Sequence, residues 1–142
     1  MLDLQVAQSI EINASLEKVW KGLVTSEIIK QYLYGTETVT DWKVGSDIVF
    51  QGEYEGHKYR DHGVILEYSL HKKISYSYWS GFSGTEDKPE NYSTVTYTLE
   101  KISADKTNFT WIQKGFATEK AHQHSLSGMP DFLRKVKEVL EK

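Results

Sequence analysis

Residues 127–142 read "SGMPDFLRKVKEVLEK". Phe132, Leu133, Val136, Val139 and Leu140 fall at i, i+1, i+4, i+7 and i+8, so a helix here carries one apolar stripe. Such a helix needs one broad apolar surface to lie on. Gly128-Met129-Pro130 stands at its entrance. Proline is tolerated in a helix's first turn, where its missing N–H is no loss. The spacing therefore predicts a main helix from Pro130, after a looser lead-in "EKAHQHSLS" (119–127), with Ser127 able to cap. The alternative is one continuous helix kinked at Pro130, at a cost of about 3 kcal/mol.

The segments before this helix supply a surface for it. "NFTWIQKGF" (108–116) alternates Phe109, Trp111 and Gln113 with Thr110, Ile112 and Lys114. "TVTYTLEKI" (94–102) sets Val95, Tyr97 and Leu99 against three threonines, the pattern of a half-buried strand. "ISYSYW" (74–79) puts Ile74, Tyr76 and Tyr78 on one side. "GVILEYS" (63–69), "DIVFQGEY" (47–54) and "ETVTDW" (37–42) read as further strands, with "KVGS" as the turn between the last two. Ile48, Phe50 and Tyr54 share a face. "SIEI" (9–12) is a short first strand. Between it and the others lie two short helices. Ser15 caps the first, whose stripe is Leu16, Val19, Trp20 and Leu23. Thr25 caps the second, and Gly35 ends it. "SGFSGTEDKPENYS" (80–93) is the longest expected loop. Strand runs followed by a helix argue α+β: a curved antiparallel sheet of six to seven strands against a long C-terminal helix. A curved sheet and one helix often leave a cavity between them.

The chain is 142 residues long and is read as one domain, 1–142, with ordinary apolar and charged content. A net charge of −3 gives no basic footprint for nucleic acid. No apolar run approaches the roughly 18 residues of a membrane span. The first residues lack the charged and apolar regions of a secretory signal. The absence of cysteine excludes disulfides, thiol nucleophiles and thiolate metal sites. A cytoplasmic location is expected. Aromatics reach 13% of the chain, nine of them tyrosine. Side chains with an apolar body and a polar tip suit a pocket that is not purely greasy. Aromatics also favour strands, so they serve equally as plain core.

Four stretches carry a resemblance: "IEINASLEKVWKGLVTSEIIKQYL" (10–33), "DWKVGSDIVFQG" (41–52), "STVTYTLEKI" (93–102) with "KTNFTWIQKGF" (106–116), and "GMPDFLRKVKEVLE" (128–141). In that order the chain resembles the START-like, or SRPBCC, helix-grip proteins. Its branch is the one named after the activator of the 90-kDa heat-shock protein's ATPase. Met129 stands where the family often has Trp, and Gln113 where His is common. The resemblance implies a cavity-bearing fold, which in various relatives binds lipids, sterols, polyketides or plant hormones and in some catalyses cyclisation or hydrolysis.

The expected function is binding of a small hydrophobic or aromatic ligand between the sheet and the C-terminal helix. The expected lining is Phe50, Tyr54, Tyr76, Tyr78, Tyr97, Phe109, Trp111, Gln113, Met129, Phe132, Leu133 and Val136. Gln113 is an amide among aromatics. It pairs either with a ligand or tyrosine hydroxyl, or with backbone or another side chain. Met129 is placed at the cavity mouth, where the break makes a candidate gate. The alternatives are a protein-interaction module, chaperone-linked or dimerising, with Trp79 and Ile112 on the outer face, or a cavity-based hydrolase or cyclase.

No catalytic residue, cofactor or metal site is assigned. His122 and His124 point about 200° apart on a helix, whereas shared ligation on a helix wants i and i+4. His57, His62 and His71 fall at expected solvated positions. Glu53, Glu55 and Asp61 could do acid–base work. With Lys58 and Arg60 beside them, they read more simply as a salt-bridged strand edge. No G-x-S-x-G elbow or phosphate loop occurs.

Overall fold

The computed structural model describes residues 4–142. Among them, seven strands form one antiparallel sheet with three α-helices. In chain order these are β1 (Gln5–Ile12), α1 (Leu16–Val24), α2 (Ser26–Tyr32), β2 (Glu37–Val39), β3 (Asp47–Tyr54), β4 (His57–Ser69), β5 (Lys73–Tyr78), β6 (Ser93–Ser103), β7 (Lys106–Lys114) and α3 (Glu119–Leu140). The spatial order is β1-β7-β6-β5-β4-β3-β2. Strands β2 to β7 therefore form a meander of hairpins, and β1 closes the far side by pairing Gln5 to Ile12 against Lys114 to Thr107. This is the expected helix-grip α+β fold.

Local chemistry explains most element ends. The Ser15 side chain accepts from the Lys18 N–H and caps α1. At Glu55-Gly56 both residues have positive φ, the two-residue turn whose twist suits a hairpin, and it joins β3 to β4. The strand expected over 37–42 shortens to β2. Trp42 takes a φ of 61°, and the Asp41 carboxylate accepts from the Lys43 N–H, so the chain turns there instead of pairing. The first strand is longer than expected, because β7 offers it a full ladder.

The largest departure is at the C-terminal helix. α3 is continuous over Glu119–Leu140 with Pro130 inside it. The expected lead-in is helical, and Thr118 caps it by accepting from the Ala121 N–H. Ser127 is no cap; its hydroxyl donates to the His124 carbonyl within the helix. Tertiary packing overrides the local cost of proline here. α3 lies along β1 and is tied to it at both ends. His122 Nε2 donates to the Gln5 carbonyl at 3.1 Å, and Lys137 Nζ to the Glu11 carbonyl at 2.8 Å. Glu141 accepts from the Asn13 N–H at 2.7 Å. His122 is thus a strand contact.

The core fills the space between the sheet's concave face and the helices. Val6, Ile12, Val19, Leu23, Ile48, Ile65, Ile74, Val95, Phe109 and Val136 are essentially buried. Because α3 leans toward β1, the concave face of β4, β5 and β6 is less completely covered. Gly63 lets β4 and β5 approach there: a Cβ on it would lie 1.6 Å from the Ser77 carbonyl oxygen. Past Gly63 the β4–β5 register shifts between Ile65 and Glu67, a bulge that bends the sheet. No helix among the described residues is long and apolar enough to cross a membrane.

Candidate functional site

Two adjoining chambers lie along the uncovered concave face. The tyrosine chamber, about 340 Å³, is bordered by Phe50, Tyr59, Tyr76, Val95, Tyr97, Trp111, Gly128, Met129 and Phe132. The loop-side chamber, about 750 Å³, lies between Tyr54, Trp79, the segment after β5, Phe116 and the first turns of α3. Asp61, Tyr78, Gln113, His124 and Ser125 border both. Strand alternation explains the first wall, since Tyr76, Tyr78, Val95, Tyr97, Trp111 and Gln113 all face one side of their strands. Helical spacing explains the roof, where Ser125, Gly128, Met129 and Phe132 recur at three and four residues.

The polar groups are wired together. Tyr76 and Tyr97 share a hydroxyl–hydroxyl bond at 2.9 Å. The Tyr78 hydroxyl donates to Asp61 Oδ2 at 2.9 Å. Gln113 is held by two serines: its Nε2 donates to Ser93 Oγ at 2.7 Å, and its Oε1 accepts from Ser125 Oγ at 2.9 Å. Of the pairings open to this amide, the side-chain one is realised, and it joins β6 and β7 to α3. Burial pushes the hydroxyls of Tyr32, Tyr76, Tyr78 and Tyr97 above the ordinary phenol range. At Tyr78 the Asp61 charge adds to the rise, whereas at Tyr97 the bond with Tyr76 opposes it. These tyrosines are neutral donors and acceptors at ordinary pH, not bases.

The residues expected to line the cavity divide into three groups. Phe50, Tyr76, Tyr78, Tyr97, Trp111, Gln113, Met129 and Phe132 border the tyrosine chamber. Tyr54 sits at the end of β3, 61% exposed, and borders only the loop-side chamber. Phe109, Leu133 and Val136 are packed into the core and border neither chamber. Asp61 departs most from expectation. It forms no ion pair with Lys58 or Arg60; it points inward and is 7% exposed. The alternation of Tyr59, Asp61, Gly63 and Ile65 carried that signal, masked by the charged Lys58 and Arg60 on either side of Tyr59. Ser93 and Ser125 were also missed, because small polar residues give no periodic signature.

The outer-face histidine also differs from expectation. His62 Nε2 lies 3.0 Å from Asp87 Oδ2, and the Tyr92 hydroxyl donates to the other oxygen of Asp87. This cluster ties the segment after β5 to β4. Burial, followed by the bond to Asp87, pushes the Tyr92 hydroxyl up to about 12. The Trp79 indole donates to Thr85 and borders the loop-side chamber, so it does not form an open outer patch. The His71 ring packs edge-on against Trp20.

A family model described as Activator of Hsp90 ATPase homolog 1-like protein matches residues 13–141. A solution structure of a Cytophaga hutchinsonii protein is similar, at 40% identity and a TM-score of 0.82, covering 99% of this chain and 97% of that one. The Aha1 dimer from Colwellia psychrerythraea shares the fold at 18% identity and a TM-score of 0.74, covering 97% and 96% of the two chains. An HSP90 activator from Plasmodium falciparum does so at 17% identity and a TM-score of 0.75, covering 96% of each. None of the curated proteins matches the chain significantly. The family model runs from the turn before α1 to the end of α3, across every element that walls the two chambers, and the chain belongs to the Activator of Hsp90 ATPase homolog 1-like family.

Proposed function

We propose that this protein binds a small, largely apolar or aromatic ligand in the trough between the sheet and α3. The observation that carries this reading is the pair of adjoining chambers, walled by aromatic side chains and crossed by a few fixed polar groups. Ligand sites are typically concave, mostly apolar and supplied with a small number of oriented hydrogen-bonding groups. The reading takes the 142 residues as one domain in the cytoplasm. It is tested by thermal shift and native mass spectrometry against lipid, sterol and aromatic libraries. A bound compound raises the melting temperature of the wild type. Gly128→Phe fills the roof from a position with open space around it, and it is expected to remove that shift while keeping the fold. Absence of any binder, or binding unchanged in Gly128→Phe, counts against the reading.

A second reading is a protein-interaction module, chaperone-linked or dimerising. The similar Colwellia psychrerythraea structure, itself a dimer, favours it. Sedimentation of the purified protein and pull-down of an Hsp90 chaperone test it, and neither signal should depend on an added ligand.

A further inference from the structure

Two sets of groups bordering the chambers have hydrogen-bonding capacity left unused. Asp61 Oδ2 accepts from Tyr78, but Oδ1 is shielded from solvent and has no partner among the described residues. No lysine, arginine or histidine among the described residues forms an ion pair with this carboxylate. The second set is the Tyr76–Tyr97 pair. Its two hydroxyls carry two protons, and their mutual bond uses one. That leaves one O–H of the pair to donate elsewhere. The trough thus holds an unmet acidic acceptor at Asp61 and an unmet neutral donor at the tyrosine pair.

The surroundings of the acceptor narrow the chemistry. Phe50 packs against Tyr76 and Tyr78 with ring centroids 5.5 and 5.8 Å away, so the carboxylate stands beside aromatic rings. Among the described residues, Asp61 is the one carboxylate bordering either chamber. A buried carboxylate is expensive without a cation or donors. A cationic donor resting against aromatic rings gains from both the ring quadrupole and a charge-assisted hydrogen bond. The Cβ–Cγ torsion of an aspartate is broad, so the carboxylate can turn an oxygen toward the chambers it borders.

We propose that the ligand is an organic amine with an aromatic or apolar body, its ammonium held by Asp61 and an acceptor on its body held by the Tyr76–Tyr97 pair. This rests on the cavity-binding reading above and names the chemical class that the cavity selects. Matched compounds differing only in the end group provide the test: 2-(4-methoxyphenyl)ethylamine, 2-(4-methoxyphenyl)ethanol and 4-methoxyphenylacetate, whose methoxy oxygen is the acceptor on the body, titrated by calorimetry at neutral pH. The amine is expected to bind wild type at least tenfold more tightly than the alcohol, with the carboxylate weakest. In Asp61→Asn the preference for the amine falls to near unity while the alcohol still binds. Equal binding of amine and alcohol by wild type overturns the proposal, as does an amine preference that persists in Asp61→Asn. The wild-type ranking decides the matter if the variant does not fold. If neutral library compounds bind and the amine does not, the amine proposal fails and the cavity reading stands. If nothing binds, both fail.

Discussion

Gln113 is the polar hinge-point of the site, since its two serine partners come from β6 and from α3. Truncation to Ala leaves two hydroxyls unpartnered beside a void. Gln113→Ala is expected to lose about 2 kcal/mol, measured by urea unfolding. The tyrosines make a different prediction. Free phenols titrate near 10, while burial holds Tyr32, Tyr76, Tyr78 and Tyr97 above that range in the folded state. Above pH of about 10 the unfolded chain loses protons that the folded chain keeps, so stability falls as pH rises. The phenolate absorbance of these four groups should therefore appear together with unfolding in an alkaline titration. A rise preceding the loss of circular dichroism would contradict their burial.

The element that decides the site is α3. Pro130 has no N–H to offer the Leu126 carbonyl, so the helix loses a hydrogen bond beside His124, Ser125, Gly128 and Met129, which roof the chambers. The interruption is one of hydrogen bonding rather than of direction into a loop, and a separate lead-in segment able to swing as a gate is not present. Pro130→Ala restores the bond and relieves the ring clash, while the unfolded chain gains freedom. The net expectation is a gain of about 2 kcal/mol, read as a higher urea midpoint with unchanged slope. A loss of stability would mean that the proline conformation is itself required by the packing of α3 on β1.

For the whole molecule, the bend of the sheet and the lean of α3 create the trough together. At Gly63 β5 stands close enough that the clash of a new Cβ would be with the Ser77 backbone rather than a movable side chain. Gly63→Ala is therefore expected to cost about 3 kcal/mol, the upper end of typical overpacking, with a clear fall in melting temperature.

Much of this architecture was legible in the residues alone. The stripe of α3, the alternation in β5, β6 and β7, and the Ser15 cap are local patterns, because each reports the periodicity of a single element. They determined an α+β chain with an antiparallel sheet and a grasping C-terminal helix, and they placed Tyr76, Tyr78, Tyr97, Trp111 and Gln113 on one face. Tertiary structure decided the rest: that α3 runs unbroken through Pro130, that it leans on β1, that Asp61 faces inward, and that Phe109, Leu133 and Val136 are core. A void is the mismatch between two facing surfaces. Its existence depends on where the helix is tied down and on the volumes that meet there, which no periodicity within one segment records.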